Sequence, residues 1–345
     1  MAPRFRFAAT IAVLAIICAL CPATVAATEV LRVLAWDGYA DADTVREFEY
    51  RYAAKVEVTY ANSDDDLWYK INHAAYDVFA VNTAELQRYI DRNLVQGLDP
   101  SRLANHARQL PRFRDLAAIP GLVRQGQVFA IPYTYAEMGL IYNRKIIAEP
   151  PQSMAAMWDP AYRGRVLAFN TSDHNFSLVG LLLGAANPFR LSDGNLTEAA
   201  RELAKLRRNV LTFYSTAEQA VQLFMRHDVA LVFGNYGSQQ LKALRDAGAD
   251  VGYLIPQEGA LAWLDCWAIT RNAPNPALAE QWIDYTLEPA VSERLSARHG
   301  LANTISAHPD TESGQKLIWL EPVANPDLQK QLWDRVISGE PPEAF

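Results

Sequence analysis

Hydrophobic and polar positions in this chain switch repeatedly between a two-residue period and a helical one. Residues 31–36 read as a buried strand, and Asp43 can cap a following helix in which Val45, Phe48 and Tyr52 recur at helical spacing. Residues 56–60 alternate like a strand, 64–74 suit a helix with Leu67 and Ile71 on one face, 76–81 form another apolar strand, and 83–92 a helix. A second series starts near Tyr135, with strands at 139–142, 165–169 and 229–233 and helices at 176–183 and 196–207. Ser238 then caps a helix ending at Gly248, residues 251–255 and 264–269 return to strand, and 276–298 are helical. Strands alternating with helices predict two α/β units, each a mixed, mostly parallel sheet flanked by helices. No Pro/Gly/Ser-rich linker separates them, so ordered crossovers should join the units around a cleft, where pockets commonly form.

The length of 345 residues fits about two domains at roughly 150 residues each. Arg4 and Arg6, an apolar run at 7–20 and the small residues 23–27 follow the order of a secretory signal, with cleavage near Ala26 or Ala27. That run is too short for a membrane span of ~20 residues. Bulky Ile17 and Leu20 precede Cys18 and Cys21, which argues against lipid attachment. With the signal removed, only Cys266 remains and no internal disulfide can form. The mature chain should be soluble in a periplasm. Its charge falls from −7 to −9, because the signal carries two arginines and no acid, and no basic stripe offers itself to nucleic acid.

The informative residues lie where strands stop: Trp36 to Tyr39, Asn82, Tyr135, Asn235 and Trp263 to Asp265. Aromatic groups with one carboxylate suit an organic cation better than acid–base catalysis, which needs titratable groups in mutual reach. Asp265 lies in the apolar run 261–269, where an idle charge would be costly. A thiol enzyme built on Cys266 is a poor rival. In a strand its side chain points away from that of Asp265, and the neighbouring charge would suppress the thiolate. No motif for a nucleotide, a catalytic serine or a metal is present, so no cofactor and no catalytic residue are expected.

The order Trp36-Asp-Gly-Tyr39, Tyr76-Asp-Val-Phe-Ala-Val-Asn-Thr83, Ile131-Pro-Tyr-Thr-Tyr135, Gly139-Leu-Ile-Tyr-Asn143 and Glu258-Gly-Ala-Leu-Ala-Trp-Leu-Asp265 resembles the spermidine/putrescine-binding proteins of bacterial ABC importers. The resemblance implies a two-lobed periplasmic binding protein fold, type II-like, with the ligand between lobes, hinge closure, and docking on an inner-membrane ABC permease. One lobe is expected at 28–135 plus 256–300 and the other at 136–255 plus 301–345, with hinge crossovers near Tyr135, Pro256 and Gly300. It further implies that Trp36, Tyr39 and Trp263 supply aromatic walls, that Asn82 sits near one amine, and that Asp265 grips an amine.

Departures from the pattern bear on the ligand. Thr171 and His174 stand where the family has two acids, and Asn235, Ala84 and Leu301 where it has aromatics. Asp173 or Glu137 could restore a second carboxylate. One dependable acid favours a small amine or compact cation over spermidine, with a polar or anionic tail bonded by Thr171, His174 and Asn235. The expected ligand-binding residues are therefore Trp36, Tyr39, Asn82, Tyr135, Thr171, His174, Asn235, Trp263 and Asp265. A monomer is expected, and a ligand-presenting role for a membrane sensor is the alternative to import.

Overall fold

The computed structural model describes residues 28–307 and 316–345, so the signal and its cleavage site lie outside the described residues. The first lobe begins with β1 (Val30–Ala35), α1 (Ala42–Tyr52), β2 (Lys55–Tyr60), α2 (Asp64–His73), β3 (Val78–Asn82) and α3 (Thr83–Asp91). A short helix α4 (Pro111–Arg114) and a small hairpin, β4 (Val123–Arg124) and β5 (Gln127–Val128), lead into β6 (Ile131–Glu137). The second lobe comprises β7 (Gly139–Asn143), β8 (Val166–Phe169), α5 (Ser172–Leu182), α6 (Asp193–Leu206), β9 (Val210–Tyr214), α7 (Ala217–Arg226), β10 (Leu231–Gly234), α8 (Gly237–Asp246) and β11 (Val251–Leu254). The chain returns through β12 (Ala260–Ile269), α9 (Pro276–Thr286), α10 (Pro289–His299), β13 (Ala302–Asn303) and β14 (Leu317–Trp319), and ends in α11 (Pro326–Ser338).

One sheet has the order β13-β6-β12-β3-β1-β2, with β14 beside β12, and the other β11-β7-β10-β8-β9. Both are more mixed than the sequence pattern predicts. Strands β3, β1 and β2 run parallel, as do β10, β8 and β9, but β12 is antiparallel to β3 and β6, and β7 is antiparallel to β10 and β11. The antiparallel strands are those that carry the chain between sheets and must arrive from the opposite end.

Three connections cross between the sheets: Met138 between β6 and β7, residues 255–259 between β11 and β12, and 320–325 between β14 and α11. The third replaces the crossover expected near Gly300, since β13 and β14 pair with β6 and β12 in the first sheet. The segment from 301 onward therefore divides: its strands join the first sheet, while α11 buries Leu332, Trp333 and Val336 in the core of the second lobe. Gly300 instead caps α10 with φ +70°, and a Cβ there would lie 2.8 Å from Lys242 Cβ on α8 of the other lobe.

Local details also differ from the sequence reading for identifiable reasons. Residues 276–298 break into two helices at Leu287 and Glu288, because Pro289 has no N–H to continue the first. Asp41, not Asp43, precedes α1, and Asp43 in the first turn pairs with Arg298 at 2.5 Å. Tyr236 precedes α8, so Ser238 lies inside the first turn. Each lobe has its own core, the first around Phe79, Trp267 and Trp282 and the second around Phe176, Phe189 and Phe233.

Candidate functional site

The ends of the parallel strands from both lobes meet across one cleft of about 520 Å³, within the range of small-molecule sites. From the first lobe, β1 delivers Trp36, Asp37 and Tyr39, β2 leads to Asn62, Ser63 and Asp64, and β3 ends at Asn82. From the second, β8 ends at Phe169 and opens into Thr171, Asp173 and His174, while β10 runs into Asn235 and Tyr236. Trp263 and Asp265, two apart on β12 and so on one face, line it as well, and Gln239, Leu301 and Leu320 complete the lining.

Asp265 is only 7% exposed, and its Oδ2 accepts a 2.6 Å hydrogen bond from the Tyr39 hydroxyl. Burial pushes its carboxyl up to about 7 against the opposing effect of that bond, and the charge of Asp64 adds to the rise. No protein group among the described residues donates to Oδ1. The Tyr39 ring packs edge-on against Tyr133 and Trp267, which fixes the hydroxyl beneath the carboxylate. A β-bulge between Asp265 and Cys266, opposite Thr134 and Pro132, re-aims the strand at this point. Cys266 is buried and burial raises its thiol well above the usual range, so it is not a nucleophile.

The other polar groups are largely engaged with one another. The Asn82 side chain caps α3 by accepting from the Glu85 N–H at 2.8 Å and donates to Asp64 Oδ1 at 3.3 Å, so it positions an acid. His174 Nδ1 lies 2.7 Å from Asn235 Oδ1, and the Thr171 hydroxyl donates to Asp173. The three groups expected to bond a polar tail thus already have partners. The Trp263 indole N–H donates across the lobes to the Asn235 carbonyl at 3.1 Å.

Eight of the nine residues singled out from the sequence line this cleft, and Tyr135 does not. Its ring is 2% exposed and packs on Phe113 and Trp319 in the first core. Glu137 is also buried away from the cleft lining, whereas Asp173 faces it. Asp64 and Phe169 were missed. Burial, reinforced by Asp173, raises the Asp64 carboxyl despite Arg88. For Asp173 burial is outweighed by His174, the Thr171 hydroxyl and backbone amides, and its carboxyl sits below the usual range. Phe169 stacks on His174 at 5.9 Å and meets Tyr236 edge-on, giving the second lobe its aromatic wall. Among the described residues no three His, Cys, Asp or Glu groups converge on a metal position.

The family model of the bacterial extracellular solute-binding proteins matches residues 43–318. The chain is 23% identical over 325 residues to the spermidine/putrescine-binding periplasmic protein of Escherichia coli (strain K12), covering 88% of this chain and 90% of that one. It is 26% identical over 346 residues to the putrescine-binding periplasmic protein PotF of the same organism, covering 90% and 92%. Among solved structures, the Tp0655 lipoprotein of Treponema pallidum superimposes with a TM-score of 0.75 at 19% identity, over 89% of this chain and 99% of that one. The binding protein MotA from A. tumefaciens B6, in complex with glucopine, superimposes with a TM-score of 0.67 at 15% identity, over 90% and 99%. These likenesses carry the two-lobed periplasmic binding protein fold. The chain belongs to the bacterial extracellular solute-binding proteins, a family of binders and not of enzymes.

Proposed function

We propose that this protein is the periplasmic substrate-binding component of an ABC importer and that its ligand is a small organic cation of the amine class. The observation that carries the reading is Asp265, a carboxylate closed off from bulk water at the end of an aromatic-lined cleft, with Oδ2 held by Tyr39 and Oδ1 open to a guest. An ionised acid in that setting is costly alone and strongly favourable once a cation with hydrogen-bond donors pairs with it. Trp36 and Trp263 on one lobe and Phe169 and Tyr236 on the other offer faces to methylenes and to the charge. The names of the relatives, which bind putrescine or spermidine, support the same class.

Binding proceeds by closure. A ligand seated on Asp265 gains contacts to Phe169, His174 and Tyr236 only when the second lobe approaches, and that difference in affinity drives the lobes together about Met138, 255–259 and 320–325. The closed form, working as a monomer, docks on an inner-membrane permease. No described helix is long and apolar enough to cross a membrane. Nucleic acid is no partner at a net charge of −7.

Native mass spectrometry of gently purified protein, followed by calorimetry with amines, amino acids and sugars, tests the reading. A bound amine, and its loss in Asp265→Asn, support it. A neutral or anionic ligand that Asp265→Asn retains refutes it.

A further inference from the structure

A second cavity, of about 320 Å³, straddles the third crossover, and Leu320 is the wall it shares with the ligand cleft. The crossover is tied to the first lobe at one end, where the Leu320 N–H donates to the Ala262 carbonyl at 2.9 Å and its carbonyl accepts from the Thr83 hydroxyl at 3.1 Å. At the other end it is tied to the second lobe. There the Ala324 N–H donates to the Phe189 carbonyl at 2.9 Å and the Asn325 amide to Asp193 Oδ1 at 3.3 Å. Residues 321–323 are left to absorb a rotation, and each lobe sets an arginine beside them.

Those arginines are Arg124 on β4 and Arg190 in the loop between α5 and α6, and Glu321 lines the cavity with them. Arg124 is fixed in place by Asp91 and by Gln87 Oε1 at 3.0 Å. Gln87 is held in turn by the Gly121 carbonyl at 3.0 Å, and a Cβ at residue 121 would lie 2.0 Å from Gln87 Nε2, so this wall needs its glycine. Arg190 and Glu321 differ: neither side chain makes a hydrogen bond or an ion pair among the described residues. Opposite charges that share a cavity without meeting leave room for a group that accepts from one and donates to the other.

We propose that this cavity is a second binding site, for a small tetrahedral oxyanion that retains a proton, of the hydrogen phosphate class, bridging the two lobes across the crossover. Its unprotonated oxygens accept from Arg190, whose free guanidinium offers a two-pronged fork, and from the remaining N–H groups of Arg124. Its P–O–H donates to Glu321. A sulfate or a carboxylate has no proton to give at neutral pH and sets bare oxygens against that side chain. Because cleft and cavity flank the crossover, a rotation that narrows one widens the other. An anion joining the two arginines therefore opposes closure, and a ligand in the cleft weakens the anion by the same factor.

Calorimetry with inorganic phosphate and with sulfate, at constant ionic strength and neutral pH, tests the site in wild type, Arg190→Gln and Glu321→Gln. Wild type should bind phosphate roughly tenfold more tightly than sulfate, Arg190→Gln should lose roughly tenfold in phosphate affinity, and Glu321→Gln should erase the preference between the two anions. Arg190 is exposed, Glu321 half-buried and neither is paired, so both variants should unfold with heat as wild type does in chloride. Phosphate, and not sulfate, should also weaken the binding of 1,4-diaminobutane, an arm that rests on the amine reading while the others do not. No phosphate binding, equal binding of the two anions by wild type, or wild-type phosphate affinity in Arg190→Gln overturns the site. Phosphate bound as described with diamine affinity unchanged overturns the opposition to closure, and wild type that binds phosphate but no amine overturns the amine reading alone.

Discussion

Replacing Asp265 by asparagine separates what this carboxylate costs the fold from what it gives the ligand. Its carboxyl is pushed from 3.8 to about 7, chiefly by burial. Keeping it ionised in the unliganded protein therefore costs about 4 kcal/mol, at ~1.4 kcal/mol per tenfold change in proton affinity. Because the folded value lies above the unfolded one, the stability tied to the protonated acid is complete below 3.8 and is lost as pH rises through about 7. Asparagine keeps an acceptor for the Tyr39 hydroxyl and carries no charge. Urea denaturation of the stripped protein should show the variant gaining on wild type from pH 4 to pH 8, by up to about 4 kcal/mol. Ligand binding should move the other way. An ammonium pairs only with the ionised acid, so wild-type affinity should fall about tenfold from pH 8 to pH 6, and about half a proton should be released on binding at pH 7. The variant should bind at least ~30-fold more weakly, since truncating one partner of a buried charge pair typically costs 2 kcal/mol or more. A variant no more stable than wild type at pH 8, together with wild-type affinity flat between pH 6 and pH 8, would refute the reasoning.

Other substitutions probe the walls and the closure. Trp263→Phe keeps an aromatic face but removes the bond to the Asn235 carbonyl, and calorimetry should show a loss of about 1 kcal/mol, or fivefold in affinity. Tyr135→Phe should change ligand affinity less than twofold, whereas Tyr135→Ala should destabilise the first lobe by about 3 kcal/mol or more in denaturation, as expected of a buried ring. Gly300→Ala meets both a left-handed backbone and the side chain of Lys242. It should cost about 1 kcal/mol of stability and leave the ligand-saturated protein less compact in scattering.

Much of the fold is written in the hydrophobic period, but its third crossover is not. β13 and β14 are two and three residues long, too short to announce which sheet they join, so residues after 300 read as one lobe when they serve both. Asp265 was legible because a charge inside the run Ala260–Ile269 demands a reason. Asp64 was not: it stands with Asp65 and Asp66 at the start of α2, where the helix dipole favours acids whatever else they do. Only the structure separates them, with Asp66 paired to Lys70 at 2.6 Å and Asp64 turned into the cleft beside Asn82. Tyr135 misled for the opposite reason. A two-residue period says that Tyr133 and Tyr135 share a face, but not whether that face meets the cleft or the core. Phe169 closes a buried strand, and nothing in its neighbours marks the end that emerges into the site.

The most direct test of the central claim is a crystal structure of the protein with the ligand that mass spectrometry identifies. The account expects a ligand nitrogen at about 2.8 Å from Asp265 Oδ1, the Tyr39 hydroxyl still bonded to Oδ2, and the ligand's methylenes between the aromatic walls. A neutral ligand, or a cation whose nitrogens lie away from Asp265, would contradict it.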